Sequence, residues 1–123
     1  MIFIFGGAYQ GKLDYAMENF DIETVCDCSD GSAPDFAKDA IYGLESFVRE
    51  CAREGRDAVE IFRQSREQWQ DRVLIMTDVS GGIVPIDAVT RKYREMNGRT
   101  MTYLAGEADQ VIRVFCGIGK KVK

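Results

Sequence analysis

The stretch IFIFGGAYQGKLDYA, residues 2–16, decides how this chain is read. An apolar run, MIFIF at 1–5, enters a glycine-rich turn, and a lysine stands where a helix can begin. The run is aromatic and β-branched without alternation, which predicts a strand buried on both faces of a parallel sheet. Residues 6–11 form the turn, and Leu13, Ala16 and Met17, spaced i, i+3, i+4, predict a helix over 12–20. The spacing from Gly6 to Gly11-Lys12 fits G-x-x-x-x-G-K. In such a turn the main-chain N–H groups face inward on a phosphate, and glycines allow positive φ and close approach. The lysine and the helix N-terminus add positive charge. The serine or threonine that completes the pattern and ligates magnesium is replaced by Leu13. Two readings therefore stand side by side. One is an anion site made by Gly6, Gly7, Ala8, Tyr9, Gln10, Gly11, Lys12 and Leu13, and the other is a tight structural turn. Magnesium readily keeps its waters, so Leu13 bears on catalysis more than on phosphate binding.

Working outward, IETVCDC at 22–28 predicts a second strand and SDGSAP at 29–34 a loop. Ser32 and Pro34 mark a helix start, with Asp35 in its first turn. Phe36, Ala40, Ile41, Leu44, Phe47, Val48 and Cys51 trace one helical face to about residue 54, where Gly55 breaks or bends it. Ala58, Phe62 and Trp69 continue the period to about residue 69. VLIMT at 73–77 predicts a third buried strand, and VSGGIVP at 79–85 a loop. Asp87 caps a helix to about residue 107 with Val89, Tyr93, Met96, Thr100 and Leu104 on one face. Gly98 costs that helix ~1 kcal/mol, so close packing or a break is expected there. VIRVF at 111–115 predicts a fourth strand, with a short further strand at 120–122. Strands alternating with helices imply an α/β fold: a single domain over 1–123 with a small, mostly parallel sheet flanked by helices.

The composition suits that domain. The chain has 123 residues, 46% hydrophobic and 29% charged. The start, MIFIFGG, has no basic leader, and the apolar runs are too short to span a membrane. The expectation is a cytoplasmic protein with no membrane partner. A net charge of −4 with scattered basic residues argues against a nucleic-acid partner. The chain has no histidine, which excludes Ser-His and Cys-His nucleophile pairs and histidine general-base chemistry. Of the four cysteines, Cys26 and Cys28 share a strand face, but no CxxC pair occurs. Reduced thiols are expected.

Asp78 follows VLIMT at the carboxyl end of a predicted parallel strand, where ligands bind in open α/β sheets. It is read either as a catalytic and metal-holding acid or as a loop cap. Asp14, Asp27 and Asp30 read as solvated acids. Arg91, Lys92, Arg94 and Arg99 read as a solvated helix face paired with Glu95 and Glu107, or as a phosphate clamp.

Two longer stretches carry a resemblance. VLIMTDVSGGIVP at 73–85 and TRKYREMNGRTMTYLAGEADQVIRVFCGIGKKVK at 90–123 resemble the bifunctional adenosylcobinamide kinase/adenosylcobinamide-phosphate guanylyltransferase family of cobalamin biosynthesis. The GGAYQGK start is similar to that family's GGARSGKS loop. The combination of G-G-x-x-x-G-K, G-I-V-P, R-x-x-R-x-x-x-G-R and G-I-G is more specific than the loop alone. The resemblance implies a P-loop α/β fold and nucleotide phosphates on Gly6, Gly7, Gly11 and Lys12. It implies ATP or GTP as ligand, magnesium as an optional companion, and a homo-oligomer. Lys12 and Asp78 are the catalytic candidates, Asp78 also the metal candidate. Thr77-Asp78 stands for the family's asparagine–glutamate pair, Tyr9-Gln10 for its arginine–serine pair, and Met101-Thr102 for its asparagine–glutamine pair. The family's guanylate-accepting histidine has no counterpart, so guanylyltransferase activity is not expected. A further acidic strand end in the family's middle segment is expected to be missing as well. The functional expectation is a nucleotide- or phosphate-binding protein, with a small-molecule kinase acting on a cobinamide-like alcohol and a non-catalytic scaffold as alternatives.

Overall fold

A computed structural model describes residues 1–79 and 87–123. Strand β1 (Ile2–Gly6) lies at the centre of a six-stranded sheet of order β2-β3-β4-β1-β5-β6. It pairs in parallel with β4 (Val73–Thr77) on one side and β5 (Gln110–Phe115) on the other. β3 (Ala40–Tyr42) pairs in parallel with β4 and with β2 (Val25–Asp27). Only β6 (Ile118–Lys121) runs antiparallel, as a hairpin with β5. The expected architecture, a mostly parallel sheet flanked by helices, is the one observed.

Successive side chains of β1 point to opposite faces, and both faces are covered. Phe3 packs with Leu74, Met76 and Val111 under α2 (Leu44–Glu54), α3 (Ala58–Gln64), α4 (Arg66–Trp69) and α5 (Ala88–Glu107). Ile4 packs with Ile75, Ile112 and Val114 under Ala16 of α1 (Lys12–Asn19). Phe62 sits at the middle of the thicker layer, with its ring 6.1 Å from that of Phe47 and 6.3 Å from that of Trp69. The Trp69 indole N–H donates to Phe62 O at 2.9 Å, which satisfies its one polar atom inside the core.

Several elements differ from the sequence reading. The helix expected from Ser32 does not form before residue 44: Ala40, Ile41 and Tyr42 are strand β3 instead. Their helical spacing is overridden because the sheet takes them up between β2 and β4. Gly43 (φ 75°) then turns the chain into α2. Gly55 does end that helix, in the left-handed conformation. The stretch to Trp69 is two short helices that meet at Ser65. Helix α5 runs through Gly98 without a break, and a Cβ there would meet open space. Asp87 caps it, its side chain accepting from the Val89 N–H at 3.0 Å. Met17 and Val89, expected on apolar faces, are exposed. The loop expected at 79–85, including the G-I-V-P motif, falls mostly outside the described residues.

Among the described residues no helix is long and apolar enough to cross a membrane. The sheet edges are the three-residue β2 and the lysine-bearing β6. Short and charged edges discourage strand pairing between copies.

Replacing Phe62 by Ala is expected to cost about 3–5 kcal/mol, because it empties the centre of the aromatic layer. Urea unfolding of the two proteins measures this, and a loss below about 1 kcal/mol would contradict the packing described.

Candidate functional site

The site grows from the carboxyl end of β1. Gly6 must be glycine there, since a Cβ would collide with the carbonyl oxygen of Val114 in the adjacent strand. Its own carbonyl accepts the N–H of Asp78 at 2.8 Å, which ties the ends of β1 and β4 together. Beyond Gly6 the chain turns through Tyr9 (φ 60°) and Gly11 (φ 82°) and enters α1 at Lys12. The first helical bond is Tyr15 N–H to Gly11 O at 2.9 Å. Earlier N–H groups have no helical acceptor, as at any helix start. Among the described residues, no main-chain N–H from Gly7 to Asp14 donates to a protein acceptor. Residues 8–14 line a cavity of about 530 Å³.

Lys12 is only 4% exposed. Its Nζ donates to Gly7 O at 2.8 Å, which folds the ammonium back under the loop. Burial lowers its pKa, and the negative charge of Glu45 pulls it back up. Glu45 is in the first turn of α2, just past β3 and Gly43. One of its carboxylate oxygens, Oε1, accepts the Thr77 N–H at 2.9 Å. The Thr77 carbonyl accepts from Asn97 Nδ2 of α5 at 3.2 Å, so the end of β4 is held from both sides.

The far wall of the cavity is Tyr42, Glu45, Arg49 and Tyr93. Burial pushes the Tyr93 phenol up to about 12, with the Glu45 charge adding to it and Arg49 opposing. Tyr42 is raised by the same two causes, burial first. Sequence reading did not find this wall. Its signal was Ala-Ile-Tyr-Gly-x-Glu: an acid just beyond a short apolar run, the argument applied to Asp78, and it was hidden because 40–42 were read as helix.

The sequence candidates divide as follows. Ala8 through Leu13 line the cavity with Lys12 among them, and Gly6 and Gly7 lead into it. Thr77 and Val79 line it, whereas Asp78 between them is exposed and does not. Asp14 lies at the cavity edge. None of Arg91, Lys92, Arg94 and Arg99 lines the cavity, so no clamp is brought to the loop by them. Arg99 approaches Glu95 at 3.8 Å, while Glu107 pairs instead with Arg66 at 2.8 Å. Cys26 and Cys28 have their sulfurs 3.8 Å apart, and all four cysteines are free thiols. Burial and the neighbouring Cys26 raise the Cys28 thiol, which disfavours a thiolate. Among the described residues no group of three or more His, Cys, Asp or Glu side chains could hold a metal ion.

A parallel sheet with an amide-rich turn and buried lysine at the end of its central strand defines an α/β protein of the phosphate-loop class. Within that class, residues 39–122 match the model of the family described as cobinamide kinase / cobinamide phosphate guanyltransferase, and the chain belongs to that family. The matched span starts beyond the loop and takes in Glu45, Asp78 and the β5–β6 hairpin. The bifunctional adenosylcobalamin biosynthesis protein CobU of Salmonella typhimurium is 43% identical over 68 residues, 54% of this chain and 38% of that protein. The protein of the same name from Escherichia coli is 41% identical over 51 residues, 42% of this chain and 28% of that protein. The aligned part of the chain thus spans well under half the length of either relative.

The buried ammonium makes a test of the site's electrostatics. The folded pKa of Lys12 lies below the unfolded value of 10.5. Below the folded pKa both states are charged, and the burial penalty is felt in full. As pH rises from the folded pKa towards 10.5, the unfolded chain holds the extra proton and the penalty is relieved. Lys12→Met is therefore expected to be more stable than the unaltered chain at pH 7, with the difference shrinking as pH approaches 10.5. Thermal melts across that range check it; a difference that widens with pH would contradict the assignment.

Proposed function

We propose that this chain binds a nucleotide, ATP or GTP, through its phosphates, without guanylyltransferase activity, as part of cobalamin biosynthesis. The observation that carries the reading is the run of main-chain N–H groups from Gly7 to Asp14 with no protein acceptor, on a loop whose residues 8–14 line the cavity. Such donors are solvated when the cavity is empty and fixed in direction, so a phosphate gains several hydrogen bonds without rearranging the loop. Lys12 moves its ammonium a short way from Gly7 O to a phosphate oxygen, and the ligand's charge offsets the cost of burying that ammonium. The names of the two relatives and the family's description support the pathway and the nucleotide. The absence of any histidine supports the loss of guanylyl transfer through a histidine.

Magnesium fits this donor set poorly. Leu13 offers no oxygen, and one carboxylate oxygen of Glu45 is already committed to the Thr77 N–H. The ion prefers near-octahedral oxygen coordination, and the ligand's own phosphates and water would have to supply most of it. Binding is accordingly assigned to the amides and Lys12 alone.

A second reading, a small-molecule kinase, is favoured by one observation: Glu45 shares the cavity with Lys12 and lies close enough to shift its titration. There Glu45 would orient an acceptor hydroxyl on a cobinamide-like alcohol, and Lys12 would neutralise the transferred phosphoryl group. Asp78 would act at one remove, through its main-chain bond to Gly6.

Isothermal calorimetry with ATP and GTP, with and without magnesium, separates these outcomes. The proposal expects binding of at least one nucleotide, with an affinity that magnesium changes less than about threefold. Lys12→Ala should weaken it by at least about tenfold, the loss of one charge-assisted hydrogen bond worth ~1.5–3 kcal/mol. Unchanged affinity in that variant would remove the lysine from the account. For the kinase reading, Glu45→Gln should abolish phosphoryl transfer to cobinamide while leaving nucleotide affinity within about threefold. Persistent turnover would clear Glu45 of the role.

A further inference from the structure

Among the described residues only Tyr9 and Cys116 are non-glycine residues at positive φ, 60° and 52°. They lie far apart in sequence and together in space. Between Tyr9 and Gly11, the main-chain carbonyl of Gln10 accepts the N–H of Gly117 at 2.8 Å. Its side-chain Oε1 accepts the N–H of Cys116 at 2.7 Å. One residue of the phosphate loop thus holds both N–H groups of the β5–β6 turn. The contact is close-packed as well: a Cβ on Gly11 would lie 3.4 Å from the Cα of Gly117, and a Cβ on Gly119 would fall inside the ring of Tyr15 on α1. Among the described residues the left-handed non-glycine positions thus fall where these two turns meet, and strain of this kind persists only where surrounding contacts impose it.

We propose that Gln10 is a positioning residue, a latch through which the β5–β6 turn holds the phosphate loop open to its anion. The proposal rests on the anion site assigned above. With the Gln10 carbonyl turned outward to Gly117 and its side chain to Cys116, the peptide groups on either side are fixed with their N–H groups left for the cavity. Released from the hairpin, Tyr9 has no reason to keep its left-handed conformation, and the amides lose their common direction. Coupling between two sites is reciprocal, so an anion in the loop also secures the hairpin turn.

The test uses inorganic tripolyphosphate, which needs no base recognition, and the full chain. Amide hydrogen exchange of the unaltered chain should slow at Cys116 and Gly117 by about tenfold on saturation, although neither lines the cavity. In Gln10→Met, which keeps the length and volume of the side chain but lacks the acceptor, affinity should fall about tenfold. In that variant the slowing at Cys116 should disappear while slowing within residues 7–14 persists. If the variant does not fold, the exchange measurement on the unaltered chain decides alone. Equal affinity in Gln10→Met, or a hairpin turn indifferent to the anion, overturns the latch and leaves the anion site standing. No binding of tripolyphosphate or ATP by the unaltered chain overturns both.

Discussion

A buried parallel strand that ends in a glycine turn releases a run of N–H groups with no acceptor, and here they lie beside a lysine withdrawn from solvent. Gly7, Ala8, Tyr9 and Asp14 are exposed, so water satisfies their donors until a stronger acceptor arrives. The rest of the architecture keeps these donors from finding partners inside the protein. β4 and β5 grip β1 on both sides and fix where the strand ends. The Asp78 N–H takes the Gly6 carbonyl, and Gln10 spends its own acceptors on the neighbouring hairpin. What is left over belongs to residues 8–14, which line the cavity.

The second constraint is charge. Lys12 is nearly inaccessible, and a buried ammonium is costly unless paired. Its partners are a carbonyl at 2.8 Å and the nearby carboxylate of Glu45, itself held by the Thr77 N–H. That arrangement is sufficient to keep the lysine in place without a ligand, and it leaves the ammonium poised for a stronger anion. Leu13 stands where the G-x-x-x-x-G-K pattern continues with serine or threonine: the helix start is kept and the hydroxyl is absent. The phosphate binding proposed above would use main-chain atoms, which a leucine at this position leaves intact.

The central part of the fold was legible in the sequence because its signals are local. MIFIF, VLIMT and VIRVF are short apolar runs of strand length, and Gly6 to Lys12 has the spacing of a strand-to-helix glycine turn. Residues 40–42 were misread because Ala40, Ile41 and Leu44 also satisfy a helical period, and three residues are too few for period two to compete. Their strand state comes from pairing with residues more than thirty positions away in β4, which no local window contains. That error hid Glu45, and with it the far wall of the cavity. Gln10 illustrates a different limit: its identity matters through Cys116, 106 residues distant. The terminal G-I-G was visible as a family resemblance, but its physical reason, packing on Gly11 and Tyr15, appears only in three dimensions.

The most direct measurement of the central claim is a nuclear magnetic resonance titration of the 15N-labelled chain with inorganic pyrophosphate. The account predicts saturable shifts of the amide resonances of Gly7 to Asp14 and of the Lys12 ammonium, with the amides of α3 and α4 unmoved. Pyrophosphate that leaves the loop amides in place, or shifts only exposed lysines elsewhere, would contradict it.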